Sequence, residues 1–143
     1  MPTNTTDFYL GNPNLKKVGA EIQFTKEQIS EYLKCKEDPV YFAMNYIKII
    51  SLDEGIVPFK MWDFQQELIE SFHENRFNIA KLPRQTGKST TCVSYLLHYI
   101  LFNDNVNVGI LANKLSTARD LLGRLQLAYE QLPLSLIHIS EPT

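Results

Sequence analysis

The eight residues Leu82-Pro83-Arg84-Gln85-Thr86-Gly87-Lys88-Ser89 carry the most explicit chemistry in this chain. They end in the Gly-Lys-Ser of a phosphate-binding loop, in which backbone N–H groups at a helix N-terminus cradle phosphate oxygens and the helix dipole favours their charge. Lys88 would reach the β/γ-phosphates of a bound nucleotide, and the Ser89 hydroxyl would ligate Mg²⁺. ATP and Mg²⁺ are therefore the expected cofactors. The full pattern G-x-x-x-x-G-K-S/T asks for Gly where Leu82 stands, so the loop is a degenerate version. The plainer reading is a surface turn capped by Ser89.

A phosphate loop works only between a strand and a helix. Phe77-Asn78-Ile79-Ala80-Lys81-Leu82 reads as the buried strand. After the loop, Val93, Leu96, Leu97, Ile100 and Leu101 recur at i, i+3, i+4, i+7 and i+8, the stripe of a helix lying on a sheet. Asn103-Asp104-Asn105 is a turn, and Val106 to Ala112 reads as a second buried strand. Ser116 then caps a long helix with Ala118, Leu121, Leu122, Leu125, Ala128 and Tyr129 at helical period. The order strand, loop, helix, strand, helix calls for parallel strands joined by a right-handed crossover. The fold class expected is α/β: the opening part of a doubly wound, parallel-sheet P-loop NTPase. Its sheet is incomplete, because two strands cannot cover both faces and no strand ending in acidic residues follows.

Upstream, residues 1–18 are rich in Asn, Thr, Gly and Pro and read as a flexible arm. Residues 19–57 form a small helical region. Thr25 and Gln28 make a capping box, and Asp38-Pro39 is a second helix start. Ile47 to Leu52 is β-branched and extended until Asp53-Glu54-Gly55 ends it. Residues 58–133 hold the partial ATPase domain, beginning with a helix over Asp63 to Asn75 that turns Phe64, Leu68 and Phe72 inward. Residues 134–143 resemble, residue for residue, the translated frame of a sequencing adapter. They are expected to be a non-native tail that packs on nothing.

Composition sets the outer bounds. Apolar residues make up 44% and charged residues 21% of the 143, ordinary for a globular chain. The net charge of −2 gives no global attraction to nucleic acid, so a DNA contact needs a local patch. Residues 1–10 lack the basic start and apolar run of a signal peptide, and no apolar run is long enough to span a bilayer. Cys35 and Cys92 stand apart without metal-ligand spacing, and Cys92 reads as a small hydrophobe within its helix.

Together with its flanks, the loop resembles that of the terminase large subunits of tailed bacteriophages, specifically large contractile-tailed myoviruses. The residues that carry the likeness are Asp38-Pro39-Val40-Tyr41-Phe42, Ser51-Leu52-Asp53-Glu54-Gly55, Phe64-Gln65, the run from Arg84 to Ser89, and Val108-Gly109-Ile110-Leu111-Ala112-Asn113-Lys114. Asn103-Asp104-Asn105 and the Gly-Arg-Leu-Gln-Leu-Ala-Tyr-Glu of the last helix are similar to phages of marine cyanobacteria. The likeness covers roughly residues 12–133, the N-terminal part of that family, in which a loop lacking the first Gly is normal.

The resemblance implies an ATP-hydrolysing motor that threads double-stranded viral DNA into a preformed capsid. It acts as an oligomeric ring with the portal and the small terminase subunit, in the host cytoplasm at the prohead. By motif, Lys88 resembles the phosphate-binding lysine, Ser89 the Mg²⁺-side hydroxyl, and Arg84 the arginine that senses the γ-phosphate. Gln85, Thr86, Gly87 and Thr90 complete the nucleotide contacts. Gln65, which lies 19 residues before Arg84, resembles the adenine-reading glutamine, with Phe64 stacking on the base and Gln66 as a rival. Lys114, at the carboxyl end of the second strand, is a DNA-contact candidate. The family's acidic metal-binding residues and its nuclease have no counterpart in this chain, so the chain by itself is expected to be catalytically inactive. Two other readings stay open: a helicase-like or other P-loop ATPase, whose loops usually lack the Arg-Gln pair, and a non-catalytic nucleotide-binding module.

Overall fold

Local signals position the first elements. The computed structural model describes residues 23–133 and Leu136; the arm expected over 1–18 lies outside them. Helix α1 (Lys26–Glu37) opens with a complete capping box: Thr25 Oγ1 accepts from the Gln28 N–H, and Gln28 Oε1 accepts from the Thr25 N–H. Asp38 ends α1 and starts α2 (Pro39–Tyr46), its carboxylate accepting from the Val40 and Tyr41 N–H groups at 3.0 and 3.1 Å. Pro at the first helical position loses nothing, because its missing N–H would have had no intrahelical partner. Glu31 ties the two helices together by accepting from the hydroxyls of Tyr41 and Tyr46. Those two bonds, Tyr41 first, hold the Glu31 carboxyl below its ordinary range.

The extended stretch after α2 is half of a hairpin. Strand β1 (Lys48–Ser51) pairs antiparallel with β2 (Gly55–Pro58), with Ile49 opposite Val57 on the half-buried face. Gly55, at φ +76°, takes the left-handed conformation that ends the turn, where a Cβ would be strained. Helix α3 (Asp63–Glu74) follows, then α4 (Lys88–Phe102) and α5 (Leu115–Glu130). Among the described residues the architecture is thus α/β in the broad sense, five helices with one two-stranded antiparallel sheet.

The expected parallel pairing is not formed. Residues 77–82 and 106–112 run without strand partners, and Phe77, Ile79 and Leu111 are exposed. A strand needs a neighbour for its N–H and C=O groups and a face to lie on, and 77–82 has neither here. Burial does alternate from Val106 to Ile110, so that stretch keeps the period of a strand without its ladder.

Helix α4 is the centre of the core and packs on α2, α3 and α5. Its buried face is Thr91, Val93, Ser94, Leu97, His98 and Phe102, whereas the expected Ile100 is exposed. The helix has turned its inner face toward other helices rather than toward a sheet. The inward face of α3 shifts likewise, with Gln65 and Ile69 buried and Phe64, Leu68 and Phe72 only half-buried. Around α4 lie Tyr32, Cys35, Phe42, Ile47, Phe59 and Ile69. Phe42 meets Phe102 and His98 edge-on at ring distances of 5.5 Å. His98 Nε2 donates to the Cys35 carbonyl at 2.9 Å; facing an acceptor, it must carry the proton. Its Nδ1 is buried without a partner, and burial pushes the ring's pKa down to about 4. Burial likewise pushes the Cys35 thiol up to about 12.

Two further expectations change. Ser116 does not cap α5: Lys114 is the N-cap residue, no side chain bonds the helix end, and Ser116 sits inside the first turn. Of residues 134–143, only Leu136 is described. It is 1% exposed and joins the core cluster with Leu132, its N–H donating to the Pro133 carbonyl at 3.1 Å. That position packs where none of the tail was expected to, because a leucine beside an apolar cluster gains by leaving water.

Candidate functional site

Residues 82–87 form a loop that delivers the chain into α4, whose first two residues are Lys88 and Ser89. Thr86 closes it internally, its hydroxyl donating to the Pro83 carbonyl at 3.0 Å. Gln85 and Gly87 both adopt left-handed conformations, at φ +61° and +73°. Backbones of this kind turn successive N–H groups into a concavity that suits anions. Gly87 takes its φ without cost, while Gln85 carries strain of roughly 1 kcal/mol.

Gly87 is the N-cap of α4, and no side chain bonds the helix end. The plainer reading of a surface turn capped by Ser89 changes in its cap alone: residues 84–87 do form a mostly exposed turn, but Ser89 lies inside the helix at its second position. An uncapped N-terminus presents N–H groups with no intrahelical partner and the positive end of a fifteen-residue dipole. Lys88 and Arg84 are exposed beside it, and neither forms an ion pair among the described residues. Ser89 and Thr90 are half-buried. Burial raises the pKa of Cys92, one turn further on, against the pull of Lys88.

Helix α3 brings Gln65 to this loop. Gln65 is 3% exposed; its Oε1 accepts from the Trp62 N–H at 2.9 Å, and its Nε2 donates to the carbonyls of Gly87 and Thr86 at 3.3 and 3.5 Å. Phe64 is half-buried, its ring centroid 6.3 Å from that of Trp62, and Gln66 turns toward the Met44 sulfur. Lys114 is exposed at the start of α5, and no hydrogen bond or ion pair joins it to the loop.

One loop partner escaped the sequence reading. Thr91 donates to the Gly87 carbonyl through both its N–H (3.0 Å) and its hydroxyl (2.9 Å). The available signal was a threonine four residues after the helix cap, the spacing at which hydroxyls bond back to a carbonyl.

These groups suit a polyphosphate: left-handed glycine, uncapped helix end, one free lysine and one free arginine. For a metal they offer less. Ser89 supplies one hydroxyl, and among the described residues no three His, Cys, Asp or Glu cluster to hold an ion. A cavity of about 390 Å³ lies elsewhere, between β1, α4 and α5, and shares only Thr90 with the expected site. Ile47, Ile49 and Ile50 line it with Val93, Leu127 and Ala128, beside the polar Lys48, Thr90 and Ser94 and the exposed Asp120–Arg124 pair. No protein-family model matches the chain. Among the described residues no helix is long and apolar enough to cross a membrane.

Proposed function

We propose that this chain is the N-terminal, nucleotide-binding part of a DNA-packaging ATPase of the terminase large-subunit kind. The observation that supports it is the uncapped start of α4 behind a left-handed Gly87, with Lys88 at the first helical position. Bound ATP with Mg²⁺ would supply the transferable phosphoryl group and the charge that holds it. Lys88 and the N–H groups of the first turn of α4 bind its phosphate oxygens. Ser89 would offer its hydroxyl to the metal, and the guanidinium of the exposed Arg84 would neutralise charge on the terminal phosphate. Phe64, half-buried on α3, would stack on the base. Turnover, double-stranded DNA, the portal, the small subunit and ring assembly at the prohead in the host cytoplasm belong to the complete motor. The doubly wound parallel sheet belongs to it too, with 77–82 and 106–112 as adjoining strands once further strands supply partners.

The test is calorimetric titration of the 143-residue chain with ATP and Mg²⁺. Lys88→Ala is expected to weaken binding at least tenfold, because it removes a charged hydrogen bond worth roughly 1.5–3 kcal/mol. Equal affinity in the two proteins would refute nucleotide binding at this loop. No hydrolysis is expected, since positioning without a carboxylate to hold metal and water does not suffice.

A further inference from the structure

We infer that Gln65 is a positioning residue for the phosphate loop: it turns the N–H groups of Gly87 and Lys88 toward an incoming polyphosphate and does not select the base. This rests on the nucleotide-binding reading above and concerns how the same site is built.

The argument begins with the inventory of the amide. A glutamine that reads adenine must offer its N–H and its oxygen to the base together. Here both halves are occupied in the interior, the oxygen by the Trp62 N–H and the nitrogen by two loop carbonyls. At 3% exposure the side chain presents no free edge.

The carbonyls that Gln65 holds belong to successive peptide groups. In a trans peptide the C=O and the N–H point in opposite directions. Drawing the Thr86 oxygen toward Gln65 therefore aims the Gly87 N–H the other way, and drawing the Gly87 oxygen inward aims the Lys88 N–H outward. Thr91 reinforces the second of these, donating twice to the same Gly87 oxygen. Gly87 also has no room for a side chain: a Cβ there would stand 2.5 Å from Gln65 Nε2. The left-handed φ favours glycine at 87, and a Cβ there would have to displace the end of the Gln65 side chain.

The experiment uses inorganic tripolyphosphate, which has no base, beside ATP and GTP. Each is titrated into the 143-residue chain and into Gln65→Ala and Gln65→Glu. The glutamate keeps an oxygen for the Trp62 N–H but has no N–H for the loop. Both variants are expected to lose roughly tenfold in affinity for tripolyphosphate and for ATP alike, with the ATP-to-GTP ratio unchanged. Retained tripolyphosphate affinity with a collapsed ATP preference would overturn the inference and make Gln65 the base reader. If the unmodified chain and Lys88→Ala bind tripolyphosphate equally poorly, the nucleotide reading itself fails, and the inference with it.

A ligand-free cycle tests the contact separately. Gly87→Ala is expected to destabilise the chain less in the Gln65→Ala background than alone, because the clash is gone. Strict additivity would mean that Gln65 does not hold Gly87.

Discussion

Two regions flank the loop helix, and they are built to different standards. On one side α1, α2 and α3 close over α4 with Phe42, Ile47 and Ile69 fully buried and His98 bonded across to Cys35. On the other, 77–82 and 106–112 run unpaired, with Phe77, Ile79 and Leu111 in water. Both regions are similarly apolar in sequence. The difference lies in what each needs for completion. A capped helix satisfies its own backbone and needs only one covered face. A strand satisfies nothing alone, so an apolar run becomes structure only when other strands adjoin it.

The sharpest measure of this asymmetry is Phe42→Ala. It should cost about 3–5 kcal/mol in urea unfolding, the range for emptying a packed aromatic site. A cost near zero would put the helical side on the same footing as the extended segments.

Next comes acid. The His98 pKa falls from its ordinary 6.5 to about 4 on folding because burial disfavours the cation, the nearby His73 adding to the effect and the Cys35 carbonyl opposing it. The folded state therefore binds fewer protons. The stability from neutral His98 is complete above pH 6.5 and lost as pH falls through 4, on the order of 3 kcal/mol in all. His98→Phe should flatten unfolding free energy across that window; an unchanged acid limb would mean that other groups carry it.

Asp38→Ala should cost about 1 kcal/mol by thermal unfolding, since it strips the cap from α2. The smallest effect belongs to the other side. Phe77→Ala should stay within about 0.5 kcal/mol; a loss of 2 kcal/mol or more would mean that 77–82 is packed in solution.

The same asymmetry decides what could be read from the chain. Thr25, Gln28, Asp38 and Pro39 act within three residues of their partners, and the structure has them as the sequence implies. The loop-to-helix junction at Gly87-Lys88 was legible for the same reason. The hairpin was half legible: the extended run at Ile47 to Leu52 stood out, but its partner Gly55–Pro58, ending in proline, did not. The inward face of α3 was misjudged and that of α4 only at Ile100, with Val93 and Leu97 buried as the spacing implies, because apolar spacing shows that a stripe exists, while the neighbouring elements decide which edge of it is covered. Thr91, Ser94 and His98 are buried polar residues whose partners are chain carbonyls, which hydropathy does not register. The contact of Gln65 with Gly87 joins residues 22 apart and depends on packing alone.

The bond between His98 and the Cys35 carbonyl has a practical corollary. The Cys35 thiol is fully buried and its ionisation is pushed up to about 12, so a thiol reagent can reach it only when α1 lifts from α4. Cys92, half-buried in α4, answers to a different opening. The ratio of the two alkylation rates is therefore a stopwatch for detachment of the N-terminal helices, readable by mass spectrometry. Ligand at the loop could slow one hand of that stopwatch without touching the other.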